Sequence, residues 1–181
     1  MNHKQLSKLA LALGAMVMAG GAMAADNATA TVSAQVITPI SISKDADMNL
    51  GNLVAGNGDV TLSPNGTRAA SGTTLSTSGA GLTAAEFTVT GEGANTFSIA
   101  YTGSSSTLAT TAEGTGTKTM PFAYITEVGD ATAKTATDLN PTEGTLVEGT
   151  LKIFAGAKVT VAADQVPGAY TGSLKITVAY N

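Results

Sequence analysis

The clearest grouping of chemically able side chains is Asp45-x-Asp47-x-Asn49. Carboxylates and an amide at alternate positions are how a calcium loop begins. The helix-loop-helix form of that loop also needs Gly at its sixth position and a bidentate Glu at its twelfth. Leu50 and Gly56 stand there instead, so the triplet reads as a solvated β-turn and no metal ligand is assigned. Gly56-x-Gly58 and Gly91-x-Gly93 are the next candidates, as phosphate cradles. No helical pattern follows either pair, so that chemistry lacks its context. Glu143 and Glu148 could work as an acid–base pair. They lie in a Gly/Thr-rich stretch with no aromatic sugar platform near them.

The inventory narrows the chemistry further. Lys4 and Lys8, the apolar run from Leu9 to Ala19, and Ala22-Met23-Ala24 form a secretory signal, with cleavage expected after Ala24. The run is too short to anchor in a bilayer, and no later stretch is long and apolar enough to span as a helix. The expected mature chain is residues 25–181, a single domain with a sizeable core. Its place is the periplasm, cell surface or extracellular space. The only His, His3, leaves with the signal, and the chain has no Cys and no Trp. Most nucleophilic triads, thiolate chemistry and zinc or iron sites are therefore excluded. Losing Lys4 and Lys8 moves the formal charge from −4 to −6. An acidic chain with scattered Lys is a poor partner for nucleic acid or anionic membranes. The expectation is a protein that is not an enzyme, with no catalytic residue and no cofactor.

The elements that remain are β-strands. Ala28, Ala30, Val32, Ala34 and Val36 alternate with polar residues, predicting a strand over Ala28 to Ile37 that Pro39 interrupts. Val60 and Leu62 mark a short strand, stopped by the turn Ser63-Pro64-Asn65-Gly66. Phe87 and Val89, then Phe97, Ile99 and Tyr101, mark two more, with Gly91 to Asn95 as the hairpin loop between them. Met120, Phe122 and Tyr124 alternate, and so do Leu151 and Ile153. Gly156, before Val159 and Val161, reads as a bulge that re-phases the faces. Tyr170, Leu174, Ile176, Val178 and Tyr180 share one face of a last strand that runs to the chain end. All eight aromatics lie in or beside these patterns and are assigned to the core. Many short strands at this spacing predict an all-β chain, an immunoglobulin-like antiparallel β-sandwich.

The order of segments resembles a known family. Val36-Ile37-Thr38-Pro39-Ile40-Ser41-Ile42, Asp47 to Leu53, Val60 to Arg68, Ala85 to Gly91, Gly156 to Val161 and Pro167 to Gly172 are together similar to the bacterial secreted domain-of-unknown-function family 4402. The resemblance covers nearly the whole mature chain. It implies a β-sandwich on or outside the cell, and no activity.

A looser resemblance links the chain to chaperone–usher pilins and spore-coat-type subunits. Those chains end in an alternating strand with a Tyr near the terminus. Some cysteine-free pilins begin with an alternating segment before a Pro, as Thr29 to Pro39 does here. The resemblance implies a sandwich lacking one strand, filled by the next subunit's N-terminal extension through β-strand addition. The strand-exchange interface would then join Ala30, Val32, Ala34 and Val36 to Leu174, Ile176, Val178 and Tyr180. The partners would be a second copy or a periplasmic chaperone. Two functions follow as expectations: a surface structural or adhesion subunit, or a self-contained secreted binding module with recognition on its loops. In either case the last strand can pair within its own sandwich, with Ala28 to Val36 as an edge partner.

Overall fold

The computed structural model describes residues 26–76, 81–129 and 140–181. The signal segment lies outside the described residues. The chain divides into two units, Met1–Gln35 and Val36–Asn181. In the first, residues 26–35 form no strand and are exposed. The strand expected over Ala28 to Ile37 is therefore not formed. Period-two alternation makes a strand only where an edge pairs with it and its apolar face is covered.

The second unit is built on strand β9 (Thr150–Val161). Ile153, Ala155, Ala157, Val159 and Val161 alternate along it, and all are buried. Such a strand needs partners on both edges and cover on its apolar face. Strand β7 (Thr119–Gly129) fills one edge in unbroken antiparallel register, from Phe122 opposite Val159 to Gly129 opposite Lys152. Two strands share the other edge. Strand β4 (Ala85–Thr90) pairs with residues 150–155, and β2 (Gly58–Leu62) with residues 157–161.

Shorter strands border these. Strand β1 (Ser41–Ala46) flanks β4, β3 (Arg68–Ser71) flanks β2, and β6 (Thr107–Ala109) flanks β7. A second antiparallel sheet has the order β10 (Thr177–Tyr180), β5 (Thr96–Ala100), β8 (Glu143–Thr145). The described residues contain no helix. The fold is an all-β sandwich, as its sequence pattern predicts. Phe97 and Ile99 of β5 meet Phe87, Val89, Ile153 and Ala155 in one core cluster. Val60, Leu108, Met120, Phe122 and Val159 form a second.

Two local expectations are corrected. The Gly91–Asn95 loop is not a hairpin, because β4 and β5 belong to different sheets. Nor does Gly156 re-phase β9, since the register with β7 passes through it unbroken. Gly156 stands where the neighbour on the other edge changes from β4 to β2. A Cβ there would strike the Leu62 carbonyl and the Ser63 backbone. The Ser63–Gly66 turn forms as expected, closed by the Gly66 N–H donating to the Ser63 carbonyl at 2.9 Å.

Two substitutions test this architecture. Phe97→Ala should lower unfolding free energy by about 3–5 kcal/mol through the cavity it leaves. Gly156→Ala adds a single methyl, yet should cost about 1–3 kcal/mol through overpacking at the strand switch. Urea unfolding midpoints read both. A neutral Gly156→Ala would show that the β4-to-β2 changeover has room to spare.

Candidate functional site

Sandwich sheets close when each edge strand is paired or covered. The last segment of this chain is paired on one edge only. Its course is set at Tyr170, whose hydroxyl accepts from Gln165 Nε2 at 2.8 Å and donates to the Val166 carbonyl at 2.7 Å. From there the chain runs beside residues 104–109. Ala109 and Thr171 exchange two backbone bonds of 2.9 Å. The Ser105 N–H donates to the Ser173 carbonyl at 2.8 Å, and the Lys175 N–H donates to Ser104 Oγ at 3.0 Å. The ladder of β10 with β5 then continues from Thr177 opposite Ala100 to Tyr180 opposite Phe97.

Odd-numbered residues thus turn their backbone groups toward this edge. In an antiparallel ladder the intervening residues turn theirs the other way. Leu174, Ile176, Val178 and Tyr180 therefore present N–H and C=O groups to the opposite edge, where no strand pairs among the described residues. Their side chains point inward and pack on the first core cluster, but all four remain half-buried.

The wall across the gap is β1. It pairs with β4 and occupies the outer edge of its sheet. Ile40, Ile42 and Met48 face the same core cluster and are half-buried too. Between the walls lies a cavity of about 810 Å³. Met48, Leu50, Phe87, Leu108, Met120 and Leu174 are among its lining. The cavity sits at the Met48–Leu174 end of the gap.

The other end is held by three residues. Tyr180 donates its hydroxyl to the Thr38 carbonyl at 2.9 Å and accepts the Glu92 N–H at 2.6 Å. The Glu92 carboxylate accepts the Thr38 hydroxyl at 2.6 Å and the Thr38 N–H at 3.2 Å. These two donors, the hydroxyl first, hold the Glu92 carboxyl below its ordinary value of 4.5. Gly91 makes room for the arrangement, because a Cβ there would strike the Tyr180 hydroxyl.

Of the residues singled out in the sequence, the structure gathers Leu174, Ile176, Val178 and Tyr180 along one wall. Ala30, Val32 and Ala34 belong to the other unit. Val32 is 92% exposed and Val36 97%. Ile40 and Ile42 of the β1 wall resume the alternation after Pro39, whereas the Thr38–Glu92 pair escapes sequence reasoning, since its members lie far apart along the chain. The calcium-like triplet is dispersed. Asp45 accepts from Thr88, Asp47 pairs with Lys44, and Asn49 Oδ1 accepts the Gly51 N–H at 2.8 Å. Glu143 and Glu148 are exposed, in β8 and the turn after it. Among the described residues no group of three or more His, Cys, Asp or Glu side chains could hold a metal ion, and no helix is long and apolar enough to cross a membrane.

The tie at Thr38 predicts a pH signature. A carboxyl whose folded value is depressed stabilises the fold above its unfolded value, and that contribution is lost as pH falls through the folded one. The Thr38 amide resonance should therefore titrate with a midpoint below 4.5, and Glu92→Gln should remove the titration. A midpoint at or above 4.5 would show that Thr38 does not hold the carboxylate.

Comparison with known proteins places this geometry in a family. The chain belongs to the family described as "Domain of unknown function (DUF4402)", whose model matches residues 40–180. The match runs from the residue before β1 to Tyr180, and so spans both walls of the groove. No curated protein and no solved structure matches the chain.

Proposed function

We propose that this member of the DUF4402 family is an exported surface subunit, structural or adhesive, that assembles by β-strand addition. One observation carries the reading. β1 and the last strand each have an edge that no strand pairs among the described residues, and the end of β1 and the segment Tyr170–Leu174 border a cavity that Met48, Leu50, Phe87, Leu108 and Met120 help to line. Such a groove suits an extended chain. Backbone groups bond both edges, and alternate side chains fill the floor. The sandwich is proposed as immunoglobulin-like, a reading supported by the Tyr170 hydroxyl bonding the carbonyl four residues upstream, as in a tyrosine corner.

The proposed donor is the segment Ala30–Val36 of a second copy. Its four apolar positions, Ala30, Val32, Ala34 and Val36, match the period and number of Leu174, Ile176, Val178 and Tyr180. Val32 and Val36 are exposed as the chain stands, and each gains roughly 1.5–3 kcal/mol on full burial. The two walls run in opposite directions, because the start of β1 and the end of the last strand meet at Thr38 and Tyr180. An inserted strand is therefore antiparallel to one wall and parallel to the other. Donor and groove are different surfaces, so the contact is heterologous and propagates instead of closing on itself. A periplasmic chaperone that lends a strand to the same groove is the proposed partner before assembly. Export rests on the Lys4–Ala24 signal pattern.

A second reading is a self-contained secreted binding module. The cavity of about 810 Å³ favours it, because that volume lies in the range of small-molecule sites.

Assembly separates the two. Size-exclusion chromatography and negative-stain microscopy of the purified protein should show filaments or head-to-tail oligomers. The double variant Val32→Asp/Val36→Asp should be monomeric with an unchanged melting temperature. A protein that stays monomeric at high concentration, with or without these valines, would remove donor exchange and leave the binding module.

A further inference from the structure

The groove is a wedge. Its wide end holds the cavity lined by Met48, Leu50 and Leu174. Its narrow end is crossed by Tyr180, whose hydroxyl reaches from the last strand to the Thr38 carbonyl just ahead of β1. An intervening strand needs its two neighbours roughly 9–10 Å apart, which is two strand spacings. A side chain tied across the mouth opposes that separation. The tie also occupies backbone groups at the root of β1. The Thr38 N–H goes to Glu92 and its C=O to Tyr180, and Pro39 follows with no N–H at all.

We infer that Thr38, Glu92 and Tyr180 form a gate: a strand enters the groove at the Met48–Leu174 end and seats fully only when Tyr180 releases Thr38. The inference rests on the strand-acceptance reading and adds the step that governs it. Each part of the gate is local and polar, while the groove floor is apolar. Opening therefore breaks these hydrogen bonds first, and shifts Tyr180 only at the margin of the first core cluster. Glu92 anchors the ring from the β4–β5 connection, and its N–H and carboxylate engage Tyr180 and Thr38 in turn. The gate thus binds three segments distant in sequence: the approach to β1, the crossing between sheets, and the chain end. It is absent from any partly folded chain in which the last strand has not docked. A gate that forms last leaves the groove open to a strand during folding and closes it in the finished monomer.

The test uses the purified protein and a fluorescent peptide copying residues 28–37, with uptake followed by anisotropy. Tyr180→Phe keeps the ring in the core and removes the hydroxyl that both bonds share. It should speed uptake about five- to tenfold and tighten equilibrium binding by a similar factor, as expected for one net hydrogen bond made only in the closed state. Glu92→Gln should act in the same direction and less strongly. Tyr124→Phe removes a hydroxyl from β7 and should leave uptake unchanged. A merely structural role for Tyr180 would lower the melting temperature without raising the uptake rate. If all three variants take up the peptide at the wild-type rate, or Tyr180→Phe is slower, the gate is wrong and strand acceptance stands. If no variant and no wild-type protein binds the peptide, strand acceptance fails and the gate with it.

Discussion

Backbone hydrogen bonding at strand edges governs this molecule. Strand β9 has both edges filled along its length, by β7 on one side and by β4 and then β2 on the other. Its inward residues from Ile153 to Val161 are fully buried as a result. The last strand has the same alternation and one filled edge, and its inward residues stop at half-burial. Two strands of one sandwich, with equivalent patterning, thus reach different end states, since among the described residues no strand pairs with the second edge of the last one. An unpaired N–H or C=O that water can reach costs little, whereas the same group buried would cost about 1–3 kcal/mol. The sandwich is therefore stable with the groove open to solvent, and would not be with the groove roofed by apolar side chains alone.

That balance explains why the two walls do not simply close on each other. Ile40, Ile42, Met48, Leu174, Ile176 and Val178 already contact the core from both sides. Drawing β1 and the last strand together as direct neighbours would demand that the floor between them contract. Phe87, Met120 and Leu108 occupy that floor, and their positions are set by strands β4, β7 and β6. Packed interiors resist such compression because their side chains already sit near crystal-like density. The groove is the shape left when two sheets are fixed by their central strands and one edge position is unoccupied.

Much of this was legible in the chain itself. The strands with a fully covered face, β2, β4, β5, β7 and β9, announce themselves by alternation, since burial on one side selects apolar residues at every second place. Strands β3 and β8 do not. Their sequences, Arg-Ala-Ala-Ser and Glu-Gly-Thr, carry almost no apolar side chain, and only pairing makes them strands. The Ala28–Ile37 pattern misleads for the converse reason, since alternation records an affinity for an edge without supplying one. Sheet membership is equally hidden. A short glycine-bearing loop such as Gly91–Asn95 can turn back into the same sheet or cross to the other, and only the packing of Phe97 opposite Phe87 decides. One wall of the groove could be read from the last fourteen residues. The other wall shows only as the alternation of Ile40 and Ile42, and its place opposite the last strand, like the Thr38–Glu92–Tyr180 ring, could not be read, because contacts across 54 and 88 positions leave no local signature.

Exposed strand edges invite indiscriminate pairing, and the two edges that face the groove carry defences against it. β1 carries Lys44 and Asp45, its approach is marked by Pro39, and the last strand carries Lys175. Charge and proline on an edge are common defences against flat edge-to-edge association. Neither defence blocks a strand that enters end-on between the walls. Such a strand meets the charged side chains only at the rim and meets Leu174, Ile176 and Ile42 along its apolar face. The requirement on the visitor is then strict. It must be unpaired on both edges, apolar at every second residue, and small enough at alternate positions to lie over a floor already half filled. Large alternating side chains would overfill that floor, and a single charge among them would be buried without a partner. The run Ala30, Val32, Ala34, Val36 meets each condition. On the strand-addition proposal, its modest hydrophobicity suits a floor that the half-buried Leu174, Ile176 and Val178 already partly cover.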